Sequence, residues 1–127
     1  MRNMLKTVVF FLVVSFISMQ SSNVSAEGNL ILLLPNGGEV ITSGTVYTLQ
    51  WDAPPDAVQF DLMFSRDEGM TWELIRDGVT NTSYDWYVAT STSTENRCLV
   101  KVTGYNSSGE RIGEDGSDMT FTIAAES

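Results

Sequence analysis

Short runs of alternating apolar and polar residues follow one another from Leu30 to the C-terminus. The clearest extends from Val58 to Phe64, with apolar residues at every even position. Alternation with a period of two is typical of a strand that is buried on one face. No run of useful length repeats with the period of a helix. The pattern therefore predicts an all-β domain.

Seven such runs are separated by breaks rich in Gly, Pro, Asn, Asp and Ser. They are Leu30–Leu34, Thr45–Trp51, Val58–Phe64, Trp72–Ile75, Tyr84–Val88, Arg97–Tyr105 and Met119–Ile123. About seven antiparallel strands in about 100 residues is the count of an immunoglobulin-like or fibronectin type III-like β-sandwich. We expect residues 106–118, which hold three glycines, to form loops around at most a short hairpin.

The N-terminal segment has the pattern of a signal peptide. Arg2 and Lys6 precede an apolar run, Val8–Ile17, and small residues end at Ala26. A spanning helix needs about 20 apolar residues, so this run favours cleavage after Ala26 over a membrane anchor. We therefore expect a signal peptide at residues 1–26 and one sandwich domain at residues 27–127. The mature protein is expected to be secreted, periplasmic or on the cell surface, with no membrane span after cleavage.

The charge balance narrows the choice of partners. The whole chain carries a net charge of −9, with 7 basic and 16 acidic residues. Loss of Arg2 and Lys6 with the signal peptide leaves five basic residues, for a net charge of −11. Such a chain repels nucleic acid and anionic lipid and favours cations or basic surfaces. Nucleic-acid binding is therefore not expected.

The inventory of side chains argues against an enzyme. The chain has no histidine and one cysteine, Cys98, so it cannot build a Ser-His-Asp or Cys-His arrangement or a plausible zinc site. Cys98 follows the alternation of its strand and is expected to be a small buried hydrophobe. A carboxylate pair for glycoside hydrolysis is the one catalytic option left. The acids, however, occupy loops or outward strand positions, so we predict no catalytic residues and no cofactor.

Two acidic groups are candidates for calcium. Oxygen-rich clusters suit hard cations. The larger group comprises Glu110, Glu114, Asp115 and Asp118, and the smaller comprises Asp67 and Glu68. Neither has the ordered spacing of an EF-hand, and solvated surface loops remain the alternative reading.

Sugar binding needs exposed aromatic side chains as a stacking platform. By strand alternation Trp51, Tyr84 and Trp86 point into the core, and only Tyr87 and Tyr105 point outward. Two outward tyrosines make a carbohydrate-binding module an alternative function rather than the leading one.

Four stretches in order resemble a known family. They are Pro35–Glu39, Ser65–Trp72, Cys98–Thr103 and Ser117–Ile123. Together they are similar to the Ser-Thr-rich GPI-anchored membrane family, which includes the N-terminal domain of yeast cell-wall β-glucan synthesis proteins. The resemblance implies an extracytoplasmic immunoglobulin-like module without catalytic residues.

The second of these stretches also resembles the Asp-box, a turn with the pattern Ser-x-Asp-x-Gly-x-Thr-Trp. Its residues here are Ser65, Asp67, Gly69, Thr71 and Trp72. Asp67 is expected to accept backbone N–H groups, Gly69 to take a positive φ, and Trp72 to pack beneath the turn. A single turn of this kind implies a structural role.

The leading hypothesis is a secreted or periplasmic, non-catalytic sandwich that binds a protein or a cell-surface or cell-wall polymer. The alternative is a carbohydrate-binding module accessory to a secreted hydrolase. A small hydrolase, and a subunit that assembles through exposed sheet edges, are further alternatives.

Overall fold

Nine strands make up the part of the protein that the computed structural model describes, residues 29–126. They are β1 Ile31–Leu34, β2 Val40–Thr42, β3 Val46–Asp52, β4 Gln59–Ser65, β5 Glu73–Val79, β6 Ser83–Tyr87, β7 Glu95–Tyr105, β8 Arg111–Gly116 and β9 Phe121–Ala124. The predicted signal peptide, residues 1–26, lies outside the described residues. Within residues 29–126 no helix has the length and hydropathy needed to cross a bilayer.

The strands form two sheets that face each other. The three-stranded sheet has the order β1-β3-β6, and the six-stranded sheet has the order β2-β9-β7-β4-β5, with β8 also paired to β7. The predicted all-β sandwich is therefore confirmed.

The longest strand, β7, organises the six-stranded sheet. One edge of its 11 residues pairs with β4 from Leu99 to Tyr105. On the other edge its N-terminal part pairs with β9 and its C-terminal part with β8. Two short strands therefore lie end to end along β7.

The strand list differs from the prediction in three places. β5 continues to Val79, four residues past the predicted end at Ile75. β2 is only three residues long, too short to show alternation, and it pairs with β9 in parallel rather than antiparallel. β8 occupies residues that we expected to be mostly loop, because Gly113, Gly116 and carboxylates are poor strand formers. Pairing with β7 overrides that local preference.

The core fills the space between the sheets. Trp51 of the three-stranded sheet meets Phe60 of the six-stranded sheet edge to face, with ring centroids 5.4 Å apart. The side chains of Leu49, Leu62 and Val102 are fully buried around them.

Two predicted inward residues lie at the margin of the core. Val58 is 42% exposed, because β4 begins after it at Gln59. Tyr84 is only half-buried and packs against the edge of the core.

Cys98 is fully buried, as predicted. Desolvation raises the pKa of its thiol to about 11, and the neighbouring carboxylate of Glu95 acts in the same direction. A thiol that is neutral and shielded is a poor nucleophile.

Alkylation of Cys98 by iodoacetamide should therefore be slow in the native protein at pH 8 and should accelerate at least a hundredfold in denaturant. Mass spectrometry of timed samples measures both rates. Equal rates in the two conditions would contradict the buried position of this side chain.

Candidate functional site

A groove opens along the side of the sandwich where β5 and β6 end their sheets. Its volume is about 470 Å³, within the usual range of ligand sites. Residues of both edge strands and of the loop after β6 line it, among them Leu74, Ile75, Tyr84, Trp86, Tyr87 and Ser91.

The groove has an apolar floor that the core holds in place. Trp86 is 9% exposed, and its ring lies 5.1 Å from that of Phe64. Above this floor Leu74 and Tyr87 are 56% and 58% exposed. A fixed aromatic floor bordered by exposed apolar residues favours burial of an apolar group from a partner.

The groove has an ionic rim at one end. The Arg66 guanidinium binds Glu73 at 2.8 Å and Glu95 at 2.9 Å, and it lies 5.0 Å above the ring centre of Phe64. The hydrogen bond to Glu73 raises the pKa of Arg66 further above its usual value. Exposed ion pairs contribute little to stability, so this cluster is a minor source of folding energy and serves as a polar border of the groove.

The turn from Ser65 to Trp72 lies beyond this rim. The Asp67 carboxylate accepts hydrogen bonds from the Ser65 hydroxyl at 2.8 Å, from the Thr71 N–H at 2.8 Å and from the Thr71 hydroxyl at 2.6 Å. Gly69 has φ of 88°, and its N–H donates to the Ser65 hydroxyl. The turn thus has the bonds expected of its sequence, and its classification as an Asp-box stays a prediction.

Trp72 closes the turn against the six-stranded sheet. A Cβ atom on Gly69 would lie 3.4 Å from its ring. The ammonium of Lys101 lies 4.3 Å from the ring centre and 4.0 Å from the Glu114 carboxylate. Lys101 therefore covers a half-buried tryptophan.

The turn predicts a pH dependence of stability. The bond from the Thr71 hydroxyl, followed by those from the Thr71 N–H and the Ser65 hydroxyl, lowers the pKa of Asp67 from 3.8 to about 2. A carboxyl whose folded-state pKa is lowered stabilises the fold above pH 3.8, and that contribution disappears as the pH falls through 2.

Asp67→Asn should therefore lower the denaturation midpoint at pH 5–7, and its difference from the parent protein should shrink between pH 4 and pH 2. Denaturant titrations at each pH measure this difference, with Asp77→Asn as the control at an exposed carboxylate in β5. A difference that stays constant down to pH 2 would contradict the role assigned to these bonds.

The carboxylates considered as calcium ligands are not brought together. Each of the four in the larger group accepts from a different donor. The donors are Asn106 for Glu110, Arg111 for Glu114, the Leu32 N–H for Asp115 and Asn36 for Asp118. In the smaller group Asp67 serves the turn and Glu68 binds Arg97 at 3.0 Å. Among residues 29–126 no three potential ligand side chains of His, Cys, Asp or Glu form a metal-sized group.

The two tyrosines considered as a sugar platform lie far apart. Tyr87 borders the groove together with Glu95, the first residue of β7, whereas Tyr105 is its last residue. At about 3.3 Å per residue, the length of β7 places Glu95 and Tyr105 roughly 33 Å apart. Tyr87 alone belongs to the groove.

Comparison with solved structures concerns the fold. The chain is similar to fibronectin(III)-like modules of CbhA from Clostridium thermocellum, with 14% identity, a TM-score of 0.54, and coverage of 77% of this chain and 47% of that one. A β-1,2-glucanase from Parabacteroides distasonis matches with 13% identity and a TM-score of 0.51, over 79% of this chain and 13% of the glucanase. The fold is fibronectin type III-like.

A Fn3-like protein from Clostridium thermocellum also matches, with 17% identity, a TM-score of 0.48, and coverage of 71% of this chain and 88% of that one. The chain spans about half the length of the CbhA structure. No family model matches it, and no curated protein matches its sequence. At these identities the likeness shows the Fn3-like fold alone.

Proposed function

We propose that this protein is a non-catalytic module that binds a protein or a cell-surface polymer outside the cytoplasm through the groove between β5 and β6. The observation that carries the proposal is the combination of a fixed aromatic floor at Trp86 with exposed apolar residues, Leu74 and Tyr87, at the border of the groove. Binding sites concentrate their energy in such apolar centres with a polar rim.

The groove chemistry supports a binding role over catalysis. The carboxylates of Glu73 and Glu95 both bind Arg66, rather than facing each other across a cleft as a glycoside hydrolase requires. The whole sequence has no histidine, and its one thiol is buried in the core. The N-terminal pattern of a signal peptide supports a location outside the cytoplasm.

Retention of envelope components on the immobilised protein tests the proposal. Leu74→Asp places a charge on the wall of the groove, and Val58→Asp places one at a similarly exposed apolar position away from it. We expect the parent protein and Val58→Asp to retain the same component and Leu74→Asp to lose it. Equal retention by all three would contradict the groove as the binding surface.

A carbohydrate-binding module is the second candidate. Tyr87 favours it, because this exposed aromatic residue borders the groove next to Trp86 in the chain. Two structures of similar fold come from CbhA and from a β-1,2-glucanase. Binding to a glycan array or to insoluble polysaccharide, lost in Tyr87→Ala, would select this alternative.

A further inference from the structure

The backbone of β6 leaves one edge free. Its ladder with β3 covers five consecutive pairs from Val46–Tyr87 to Gln50–Ser83 without a bulge. At the two ends of this ladder, the Trp51 N–H donates a hydrogen bond to the Thr82 carbonyl at 3.0 Å, and the Val88 N–H donates one to the Thr45 carbonyl at 2.9 Å. Because hydrogen-bonded and non-bonded pairs alternate in an antiparallel ladder, Ser83, Asp85 and Tyr87 turn their N–H and C=O groups away from β3. No strand among residues 29–126 pairs with that side.

The facing edge, β5, is unsuited to another strand. Its register with β4 shifts twice, on either side of Leu62, and Gly78 has φ of 66°. The Gly78 N–H also donates to the Asp61 carboxylate at 3.1 Å. Irregular edges of this kind block strand addition, whereas the regular edge of β6 permits it.

We infer that the groove receives an extended, basic peptide segment of a partner protein, which adds to β6 as an antiparallel strand. This inference rests on the proposed function and names the chemistry of the partner. Main-chain hydrogen bonds to Ser83, Asp85 and Tyr87 provide the affinity that strand addition commonly uses.

Strand alternation determines the side chains of this segment. Tyr84 and Trp86 point between the sheets, so residues opposite them enter the groove above its aromatic floor. Residues opposite Asp85 lie on the outer face beside its exposed carboxylate. A segment that alternates apolar and basic residues satisfies both positions, because opposite charges across a strand pair are stabilising.

Charge complementarity selects a basic partner. Glu73 and Glu95 share a single cation, Arg66, at the groove, so its charge is net negative, and the chain as a whole carries −9. Most of its cations are already engaged: Arg66, Arg97, Lys101 and Arg111 all lie in ion pairs. A second copy of the chain fits poorly, since antiparallel pairing of two β6 edges brings like charges of Asp85 together.

The probe is a capped peptide, Lys-Val-Lys-Val-Lys. It is titrated into the protein purified in its exported form. Antiparallel pairing places its lysines opposite the three outward-turned residues, so that the lysine N–H groups face β6. N-methylation of the lysines should weaken binding at least tenfold, whereas N-methylation of the valines, whose N–H groups face away, should leave it within about threefold. NMR titration measures both, and hydrogen exchange at Ser83, Asp85 and Tyr87 should slow at least tenfold with the unmodified peptide.

Two protein variants distinguish the contribution of the Asp85 backbone N–H to binding from that of its side chain. Asp85→Pro removes the central outward N–H, and proline is tolerated on such an edge position. Asp85→Ala removes the same carboxylate but keeps the N–H. We expect Asp85→Pro to lose binding at least tenfold more than Asp85→Ala, with both variants showing the parent near-ultraviolet circular dichroism.

Several results would overturn the inference. Equal binding of both N-methylated peptides, or unchanged hydrogen exchange at the three β6 amides, excludes strand addition. In that case, loss of binding in Leu74→Asp would still support the groove as the binding surface. Binding of neutral oligosaccharides at the groove without peptide binding assigns it to sugars. Concentration-dependent dimerisation that protects the same amides assigns the edge to a second copy. No binding of any probe, with envelope retention intact, rejects the peptide and leaves the proposed function standing.

Discussion

Replacing Phe60 with alanine is expected to lower the free energy of unfolding by about 3–5 kcal/mol. Phe60 is 1% exposed and lies edge to face with Trp51, at the contact between the two sheets. Its ring also lies against Gly104, where a Cβ atom would be only 3.4 Å away. Truncation therefore leaves a cavity between two sheets that have no disulfide among the described residues to hold them.

Denaturant unfolding followed by tryptophan fluorescence measures this loss, with Val58→Ala as the matched control. Val58 precedes the same strand and is 42% exposed, so its truncation should change stability by less than about 1 kcal/mol. A domain of this size is commonly stable by about 5–15 kcal/mol, so the Phe60 variant is expected to lose a large share of its folding energy. Similar losses for both variants would contradict the assignment of the core.

Replacing Tyr87 with alanine is expected to weaken binding of the groove's partner by about tenfold to a hundredfold. Tyr87 is 58% exposed in the unbound protein and is among the residues that line the groove, so a partner that occupies the groove and the β6 edge covers part of it. Exposed aromatic residues that a partner buries are commonly among the few that dominate an interface.

Tyr105→Ala provides the control. It removes the same type of side chain, but at the end of β7 opposite to Glu95, which borders the groove. Isothermal titration with the retained envelope component should show the large loss for Tyr87→Ala and less than a threefold change for Tyr105→Ala. A larger effect at Tyr105 would move the binding surface to the other end of the sandwich.

Local alternation made most of the strands predictable. The residues from Phe60 to Phe64 alternate because one face of β4 packs in the core, and the same holds for Cys98, Val100 and Val102 in β7. Alternation did not predict the strands that depend on pairing rather than on their own side chains. β2 is too short to alternate, and β8 has a glycine-containing sequence that only β7 holds extended.

The groove was less predictable than the fold. The groove lies between β5 and β6, the edge strands of two different sheets. Their proximity follows from the order of strands in the sheets and not from any spacing in the sequence. Tyr87 was identified because its alternation pointed outward, but Leu74 lay in a run too short to assign a face. The acidic residues after Asn106 are neighbours in sequence, but their carboxylates accept from separate hydrogen-bond donors in space.

Mapping of backbone amide shifts by NMR, as the purified envelope component is added, tests the central claim most directly. We predict that the largest changes fall on Leu74, Ile75 and residues 83–91, around the groove between β5 and β6. Changes confined to the region of Tyr105 and β8, with the groove amides unmoved, would contradict the proposal that this groove is the binding surface.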